Sequence, residues 1–264
     1  FTFQYVPEPK TITPQISVLE ASHYMKADAE GKVDIKRYLD LKFQTPSEES
    51  FEEKAKKLRK VLTESVEYHM ISDVEVGTFL SSGIDSAIIT AISSRLNPGI
   101  KALTVGFDVA SYSEIDDAHE IAKHLNVDHI VLKGNVEQFK KAFEKVVWHL
   151  DSPVADPSTV AIYMIAEEAS KHVKVMLSGE GSDELFAGYK TYRDSLLAGR
   201  FQNAPSCVKG VCRGLSKIIP DGVKGKSFLM RAGVPLEDRY VGNAFLFDEK
   251  GKKPFLKTYN PNQS

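Results

Sequence analysis

Residues 74–86 read VEVGTFL followed by SSGIDS. The first seven letters form an apolar stretch that predicts a buried strand, and the next six form a small, hydroxyl-rich turn that opens a helix. Small residues let backbone N–H groups come close to a phosphate, and the N-terminus of the new helix adds partial positive charge. Asp85 would hold Mg²⁺ against that phosphate, because hard cations prefer oxygen ligands. The stretch therefore predicts a nucleotide site at the end of a strand.

The same residues also fit a plainer interpretation. The chain contains neither the common phosphate loop, which ends in Gly-Lys-Ser/Thr, nor the dinucleotide fingerprint after a predicted strand. A serine-rich N-cap after a strand would account for residues 81–86 without any ligand. The six residues alone leave both interpretations open.

Beyond this stretch, predicted strands alternate with predicted helices, which is typical of βαβ units and a parallel sheet. The C-terminal ends of parallel strands share one edge of the sheet, and ligands bind there, where the strand order reverses. The loops after Leu80, Phe107 and Leu177 should therefore open on one face. The predicted strands are 74–80, 101–107, 129–132 and 173–177, and the predicted helices begin at Phe51, Ile84, Ser113 (as N-cap), Val136 and about Thr159.

A second loop of the same kind follows the last predicted strand. Residues 178–189 read SGEGSDELFAGY, a Gly/Ser turn with three acidic side chains. A solvated turn whose helix is capped by Ser182 would explain it alone, but two such loops at one sheet edge favour a site. When a carboxylate attacks the α-phosphorus of ATP, negative charge builds on the departing pyrophosphate. Asp85 and Asp183 are the natural magnesium ligands, and Glu180 could orient an ammonium or take a proton from ammonia.

Composition narrows the classes of partner. The 264 residues carry a net charge of −2, with 27% charged and 42% hydrophobic residues, so neither nucleic acid nor an anionic membrane is expected as a partner. No apolar run is long enough to span a bilayer. Cys207 and Cys212 are too few for a disulfide framework and fit a reducing, cytoplasmic compartment, where we interpret them as helix-packing thiols. The following histidines, which show no pairing pattern, are interpreted as surface or packing residues: His69, His119, His124, His129, His149 and His172.

Four stretches together resemble the synthetase domain of the B-type, glutamine-hydrolysing asparagine synthetases, within the ATP-pyrophosphatase superfamily. Residues 5–12 are similar to the connector that follows the family's glutaminase domain. The likeness covers about residues 1–195, and the motifs occur in the family's order. The four stretches that carry the resemblance are residues 80–86, residues 104–107 with 113–114, residues 151–157 and residues 177–189.

The resemblance implies an α/β fold: a doubly wound, mostly parallel sheet of the adenine nucleotide α-hydrolase type, with an N-terminal extended segment and a partial C-terminal helical region. In the N-terminal segment we expect an extended stretch at Phe1–Val6, a turn at Gly31 and a strand from Tyr38–Leu39. The implied domains are a connector over 1–48, a synthetase core over 49–200 and the start of a truncated helical region over 201–264.

The implied activity is that of an asparagine synthase (glutamine-hydrolysing) type ligase. Such an enzyme converts aspartate, ATP and ammonia to asparagine, AMP and pyrophosphate through β-aspartyl-AMP, with Mg²⁺ as cofactor. The family's glutaminase domain, a glutamine amidotransferase with an N-terminal cysteine, supplies the ammonia. We expect this chain to be a fragment that lacks that domain and cannot use glutamine by itself. The sequence leaves homo-oligomerisation open.

The resemblance also assigns residues. Glu180 would serve formation of the acyl-adenylate, and Asp85 and Asp183 would bind magnesium. The nucleotide would be bound by backbone contacts of Leu80 and Val105 to adenine, by a pyrophosphate loop, and by contacts to the α-phosphate and ribose. The residues of the pyrophosphate loop are Ser81, Ser82, Gly83, Asp85 and Ser86. The contacts to the α-phosphate and the ribose come from Ser178 and Gly179.

Besides the missing glutaminase domain, two further departures from the family pattern shape the expectation. Ser82 stands where the loop usually has Gly, and its hydroxyl could either crowd the pyrophosphate or add a hydrogen bond. The family's catalytic lysine, in a Lys-Glu motif, has no match in Lys224–Lys226, Lys252–Lys253 or Lys257. We therefore expect the chain to bind ATP and to complete amide synthesis poorly. The alternatives are another amide- or lactam-forming ligase of this superfamily, or a non-catalytic nucleotide-binding module.

Overall fold

The computed structural model of the chain describes residues 2–42, 47–107, 114–199, 201, 203–220, 223–232, 246–247 and 249–257. The chain falls into two compact units. The first unit is Tyr5–Gly179, and the second is Glu180–Ser264 together with Phe1–Gln4. The domain boundaries expected near residues 48 and 200 remain predictions.

A two-stranded antiparallel hairpin opens the first unit. Its strands are β1, His23–Ala27, and β2, Val33–Arg37, and the turn between them contains Gly31 at φ +82°, a backbone conformation that favours glycine. The strand predicted from Tyr38–Leu39 is wrong. His23, the first residue of β1, pairs with Arg37, so no residue of β1 is left to pair with a strand that continues past Arg37.

The predicted extended stretch at the N-terminus is also not a strand. Phe1 lies outside the described residues, and residues 2–6 form no regular strand. The carbonyl oxygen of Thr2 instead accepts a hydrogen bond from the backbone N–H of Leu246 at 2.9 Å. Phe3 takes part in an isolated β-bridge, which is too short to count as a strand.

The main sheet of the first unit has four parallel strands. They lie in the order β5-β4-β3-β6, so the three successive strands β3, β4 and β5 run outward on one side and β6 returns to the other. This confirms the predicted α/β class with a parallel sheet. The bounds are β3, Val76–Phe79; β4, Lys101–Phe107; β5, Asp128–Gly134; and β6, Val175–Leu177.

Among its described residues this unit has five helices, and two of them have the predicted bounds. The first begins with a capping box in which Ser50 and Glu53 satisfy each other's backbone N–H groups. Ser113, the predicted cap of the third helix, lies outside the described residues, and the N-cap observed is Glu114. The helices are α1, Phe51–His69; α2, Ile84–Leu96; α3, Ile115–Leu125; α4, Val136–Leu150; and α5, Ser158–Ala169.

Both faces of the sheet are covered, which confirms the doubly wound arrangement. Neighbouring residues of β4 point to opposite faces, and Ala102 is 0% and Leu103 1% exposed. Ala102 packs with Ala118 and Ala122 of α3, whereas Leu103 packs with residues of α5. Buried strands of this kind read as nearly continuous apolar runs, and it was such runs in the sequence that predicted them.

The second unit is helical. Within it, Lys252 is only 3% exposed, and its ammonium group donates a hydrogen bond to the hydroxyl of Thr2 at 3.0 Å. Cys207 is exposed, so its interpretation as a packing thiol is wrong, while Cys212 is half-buried. In the part of the chain that the structure describes, no helix is long and apolar enough to cross a membrane. The helices are α6, Ser182–Phe186; α7, Lys190–Gly199; α8, Ser206–Ile218; α9, Lys226–Ala232; and a short helix, Glu249–Lys252, which continues into a 3-10 turn, Lys253–Phe255.

Candidate active site

The strand order of the main sheet reverses between β3 and β6. These two strands pair directly, with Val76 opposite Val175 and Thr78 opposite Leu177. In open α/β sheets the crevice for a ligand lies at this reversal, outside the C-terminal ends of the strands. The loop after β3 and the loop after β6 leave the sheet at that position.

The serine hydroxyls of the first loop bond to one another and to the loop backbone. The hydroxyl of Ser86 accepts a hydrogen bond from the backbone N–H of Ser81 at 3.0 Å and donates to the carbonyl oxygen of Gly83 at 3.1 Å. It also lies 2.9 Å from the hydroxyl of Ser81, which accepts from the N–H of Gly83 at 3.1 Å. Ser81 and Ser86 therefore fix the shape of the loop, and a direct contact of either hydroxyl with pyrophosphate stays a prediction.

Helix α2 starts without a side-chain cap. Its N-cap residue is Gly83, so the alternative interpretation of this stretch as a serine-capped helix is wrong. A helix start that no side chain caps leaves backbone N–H groups for an anion. Asp85 lies in the first turn and is half-buried, and none of the described residues gives its carboxylate a hydrogen bond or an ion pair. Such a carboxylate fits a hard cation such as Mg²⁺.

Gly179 brings the second loop against the first. A Cβ atom on Gly179 would lie 2.9 Å from the carbonyl carbon of Asp85 and 2.9 Å from the backbone nitrogen of Ser86. Real Cβ atoms do not approach backbone atoms this closely, so only glycine fits without a shift of one loop. Two loops that the sequence singled out separately are thus in contact within the first unit.

Ser82 contacts a residue that sequence reasoning did not assign to the site. Its backbone N–H donates a hydrogen bond to a carboxylate oxygen of Glu114 at 3.2 Å. A carboxylate oxygen at this N–H shows that the loop can present a donor to an anion. Glu114 was part of a motif that carried the family resemblance. Ser82 and Glu114 are 32 positions apart, so no local sequence pattern predicts that they are in contact.

Leu80 and Val105, the residues expected to contact adenine, lie at neighbouring strands. Leu80 is 2% exposed; its N–H donates to the carbonyl oxygen of Leu103 at 2.8 Å, and its carbonyl oxygen accepts from the hydroxyl of Thr104 at 2.7 Å. Val105 is half-buried in β4, opposite Leu132. Of the backbone groups of Leu80, the second lone pair of the carbonyl oxygen is the one left for a ligand. Contact with adenine stays a prediction for both residues.

The acidic part of the second loop belongs to the second unit. The N-cap of α6 is Gly181, so Ser182 is the first helical residue and not the cap that the alternative interpretation required. The hydroxyl of Tyr189 donates to a carboxylate oxygen of Glu184 at 2.8 Å. This hydrogen bond, followed by burial and by the negative charges of Glu184, Asp183 and Glu180, raises the pKa of Tyr189 to about 12. Tyr189 therefore remains a neutral hydrogen-bond donor at physiological pH.

Within the described residues, no group of three or more His, Cys, Asp or Glu side chains could hold a metal ion by itself. Magnesium in nucleotide sites needs only one or two carboxylates, because phosphate oxygens and water complete its shell. Asp85 and Asp183 belong to different units, and a shared metal site stays a prediction.

Two of the histidines interpreted as surface or packing residues pack against each other. The Nδ1 atoms of His119 and His129 lie 3.3 Å apart and the two rings stack, with their centroids 5.6 Å apart. Burial of His129 and the nearby His119 lower the pKa of His129, against the opposing charge of Asp128. His129 is therefore neutral near pH 7.

The fold and these loops define a class: a doubly wound α/β protein with two small-residue loops in contact at the point where strand order reverses. The family model for asparagine synthase matches residues 57–251, and the chain belongs to that family.

Among its relatives, asparagine synthetase (glutamine-hydrolyzing) 1 of Bacillus subtilis is 41% identical over 263 residues, which cover 100% of this chain and 42% of the relative. A putative asparagine synthetase (glutamine-hydrolyzing) of Mycobacterium tuberculosis is 40% identical over 262 residues, covering 98% and 40%. Amidase chyE of Penicillium rubens is 30% identical over 210 residues, covering 72% and 31%. The chain thus spans about two fifths of the length of the first two.

A solved structure, the NH3-dependent NAD synthetase from Campylobacter jejuni, aligns with a TM-score of 0.36 at 18% identity, covering 53% of this chain and 61% of that one. With a score this low, the fold assignment rests on the sheet topology itself.

Proposed function

We propose that this chain supplies the synthetase half of an asparagine synthase (glutamine-hydrolysing) type ligase, which carries out the ATP-dependent amidation of aspartate to asparagine through β-aspartyl-AMP and releases AMP and pyrophosphate. By itself the chain is proposed to bind ATP and to complete amide synthesis poorly. Membership of the asparagine synthase family supports the proposal. The observation that carries it is the contact of Gly179 with the backbone of Asp85 and Ser86, because it joins the two loops that this chemistry requires.

In the first step a β-carboxylate oxygen of aspartate forms a bond to the α-phosphorus of ATP, and the bond from that phosphorus to the bridging oxygen breaks. Charge then builds on the pyrophosphate. The uncapped start of α2 would stabilise it through the backbone N–H groups of the first helical turn. The carboxylates of Asp85 and Asp183 would hold Mg²⁺, which when bound supplies positive charge to the leaving group.

In the second step the nitrogen of ammonia attacks the acyl carbon, AMP leaves, and the nitrogen gives up a proton. Glu180 is proposed to orient the ammonia and to take that proton. The relatives are named glutamine-hydrolysing, and we propose that glutamine is the source of ammonia in the whole protein. A cytoplasmic setting is part of this proposal, because Cys207 and Cys212 are free thiols and fit a reducing compartment.

The test is exchange of labelled pyrophosphate into ATP, measured with Mg²⁺ and with or without aspartate. We expect exchange that depends on aspartate and is lost in Asp85→Asn. The matched control is Asp73→Asn, which removes the same charge at an exposed position before β3. Exchange that responds to a β-amino acid or a peptide carboxylate but not to aspartate would favour a different amide- or lactam-forming ligase. ATP binding by calorimetry without any exchange would favour a nucleotide-binding module.

A further inference from the structure

A series of hydrogen bonds reaches the end of β3 from residues of β4, β5 and α3. The carbonyl oxygen of Leu80, the last residue before the first loop, accepts a hydrogen bond from the hydroxyl of Thr104 at 2.7 Å. That hydroxyl lies 2.8 Å from Nε2 of His129, and Nδ1 of His129 lies 3.3 Å from Nδ1 of His119. Thr104 is 2% exposed, so water does not compete for its hydroxyl.

The proton positions along this series follow from counting donors. A carbonyl oxygen only accepts hydrogen bonds, so the single hydroxyl proton of Thr104 is donated to the carbonyl oxygen of Leu80. Nε2 of His129 must then carry a proton and donate it to the oxygen of Thr104. The neutral ring of His129 has its lone pair on Nδ1, where it accepts from Nδ1–H of His119. Each group in the series is satisfied in this one arrangement of protons.

Protonation of His129 disturbs that arrangement. A second proton on its ring must go to Nδ1, where it would face the Nδ1–H of His119, so two donors would meet. The titratable groups that face His129 in the described structure are His119, from α3, and Asp128, on its own strand. The nearby His119 disfavours a positive charge on His129, and the carboxylate of Asp128 favours it. These hydrogen bonds are therefore intact near neutral pH and are broken only as pH falls through the pKa of His129, which lies below the usual histidine value.

We propose that Thr104 and His129 are positioning residues that hold the Leu80 carbonyl, and with it the first loop, in the geometry that receives the nucleotide. The inference rests on the proposed function in so far as the nucleotide binds at this edge. The hydroxyl of Thr104 takes one lone pair of the Leu80 oxygen and leaves the other for a ligand N–H donor, such as the exocyclic amino group of adenine. The ligand class is thus a nucleotide whose base carries a donor, bound best when His129 is neutral.

Three variants test the proposal with MgATP affinity measured by calorimetry. Thr104→Val keeps the shape and removes the hydroxyl, and we expect binding to weaken about tenfold, with Thr104→Ser restoring it to within about threefold. Wild-type affinity should fall about fivefold between about pH 8 and about pH 5.5, where histidine titrates. His129→Gln keeps an N–H donor toward Thr104 but does not titrate, so the ratio of its affinities at the two pH values should be close to one.

A second measurement works without nucleotide: amide hydrogen exchange of residues 80–86, expressed as protection factors to remove the intrinsic effect of pH. We expect protection to fall in Thr104→Val and, in the wild type, at low pH, but not at low pH in His129→Gln. Equal protection in Thr104→Val and the wild type, or an unchanged pH response in His129→Gln, would overturn the inference. If exchange behaves as expected while the wild type fails to bind MgATP, the positioning role stands and the proposed function falls.

Discussion

At the scale of single residues, Gly179 offers the sharpest test of the contact between the two loops. A methyl group added there would meet the backbone of Asp85 and Ser86 at 2.9 Å, and backbone cannot move aside as a flexible side chain can. We expect Gly179→Ala to cost about 1–3 kcal/mol of unfolding free energy, as overpacking does. MgATP affinity should fall at least about tenfold, because the pyrophosphate loop is the part that must shift. Calorimetry and denaturant unfolding measure the two effects.

The matched control is Gly210→Ala in α8, where nothing lies within 4 Å of the added methyl group. Glycine inside a helix costs about 0.5–1 kcal/mol relative to alanine, so this variant should gain a little stability and leave MgATP affinity unchanged. Should Gly179→Ala bind MgATP as well as Gly210→Ala does, the close approach of the loops is not part of the nucleotide site.

Glu114 gives a prediction of the opposite sign. Its carboxylate occupies the N–H of Ser82 and carries a charge that repels pyrophosphate. In Glu114→Gln the charge is gone, so pyrophosphate and MgATP should bind up to about fivefold more tightly, the scale of an exposed charge interaction. Competition of pyrophosphate with MgATP, repeated at raised ionic strength, measures the effect, which salt should reduce.

The control for that variant is Glu120→Gln, which removes the same charge from an exposed position of α3. If both variants tighten pyrophosphate binding equally, net charge alone accounts for the change, and the contact between Glu114 and Ser82 has no special role.

Local pattern explains which site residues the sequence predicted. The first loop could be predicted because strand, small residues and carboxylate are consecutive, and Gly179 because its loop repeats that pattern. The contacts of Glu114 with Ser82 and of Thr104 with His129 join residues 32 and 25 positions apart. They depend on how β4 and α3 pack against β3 and β5, and no spacing in the sequence encodes that.

At the scale of elements, the packing of α2 buries one hydroxyl group, that of Ser93, without a hydrogen-bond partner among the described residues. The side chain of Ser93 is fully buried. An unsatisfied buried polar group costs about 1–3 kcal/mol, and alanine also favours the helix. Ser93→Ala should therefore raise the unfolding free energy by about 1 kcal/mol or more, as measured by denaturant unfolding.

Its neighbour provides the comparison. The hydroxyl of Ser94 donates to the carbonyl oxygen of Ala91 at 3.1 Å, so Ser94→Ala exchanges a hydrogen bond for helix propensity and should change stability by less than about 0.5 kcal/mol. A loss of stability in Ser93→Ala would mean that its hydroxyl is satisfied after all.

The elements that sequence reasoning placed correctly have strong boundaries of their own. Helix α2 lies between a glycine turn and Asn97-Pro98-Gly99, and α4 starts at the capping box of Asn135 and Gln138. The strand expected at Tyr38–Leu39 failed for a physical reason. A strand needs a partner, and where that partner begins is a property of the hairpin rather than of the two residues.

At the scale of the whole molecule, Thr2 connects the start of the chain to the second unit. Its hydroxyl accepts a hydrogen bond from the buried ammonium group of Lys252. Hydrogen bonds to charged groups contribute about 1.5–3 kcal/mol, so Thr2→Val should destabilise the second unit by about that amount. Amide exchange should speed up around the short helix Glu249–Lys252 and stay constant in α2.

Thr2→Ser keeps the hydroxyl and should restore the protection of that helix. If amide protection falls equally in both units in Thr2→Val, the division of the chain into two compact units does not describe how it opens.

The pairing of β3 with β6 also has a consequence for the order in which the chain folds. Val76 pairs with Val175, about a hundred positions later, whereas β4 and β5 join residues far closer together. Closing so long a loop is entropically the costliest step in building the sheet, so this pair should form last and separate first. The sheet would then open first between β3 and β6, where the strand order reverses. A ligand that contacts the loops after both strands would slow unfolding of the whole sheet.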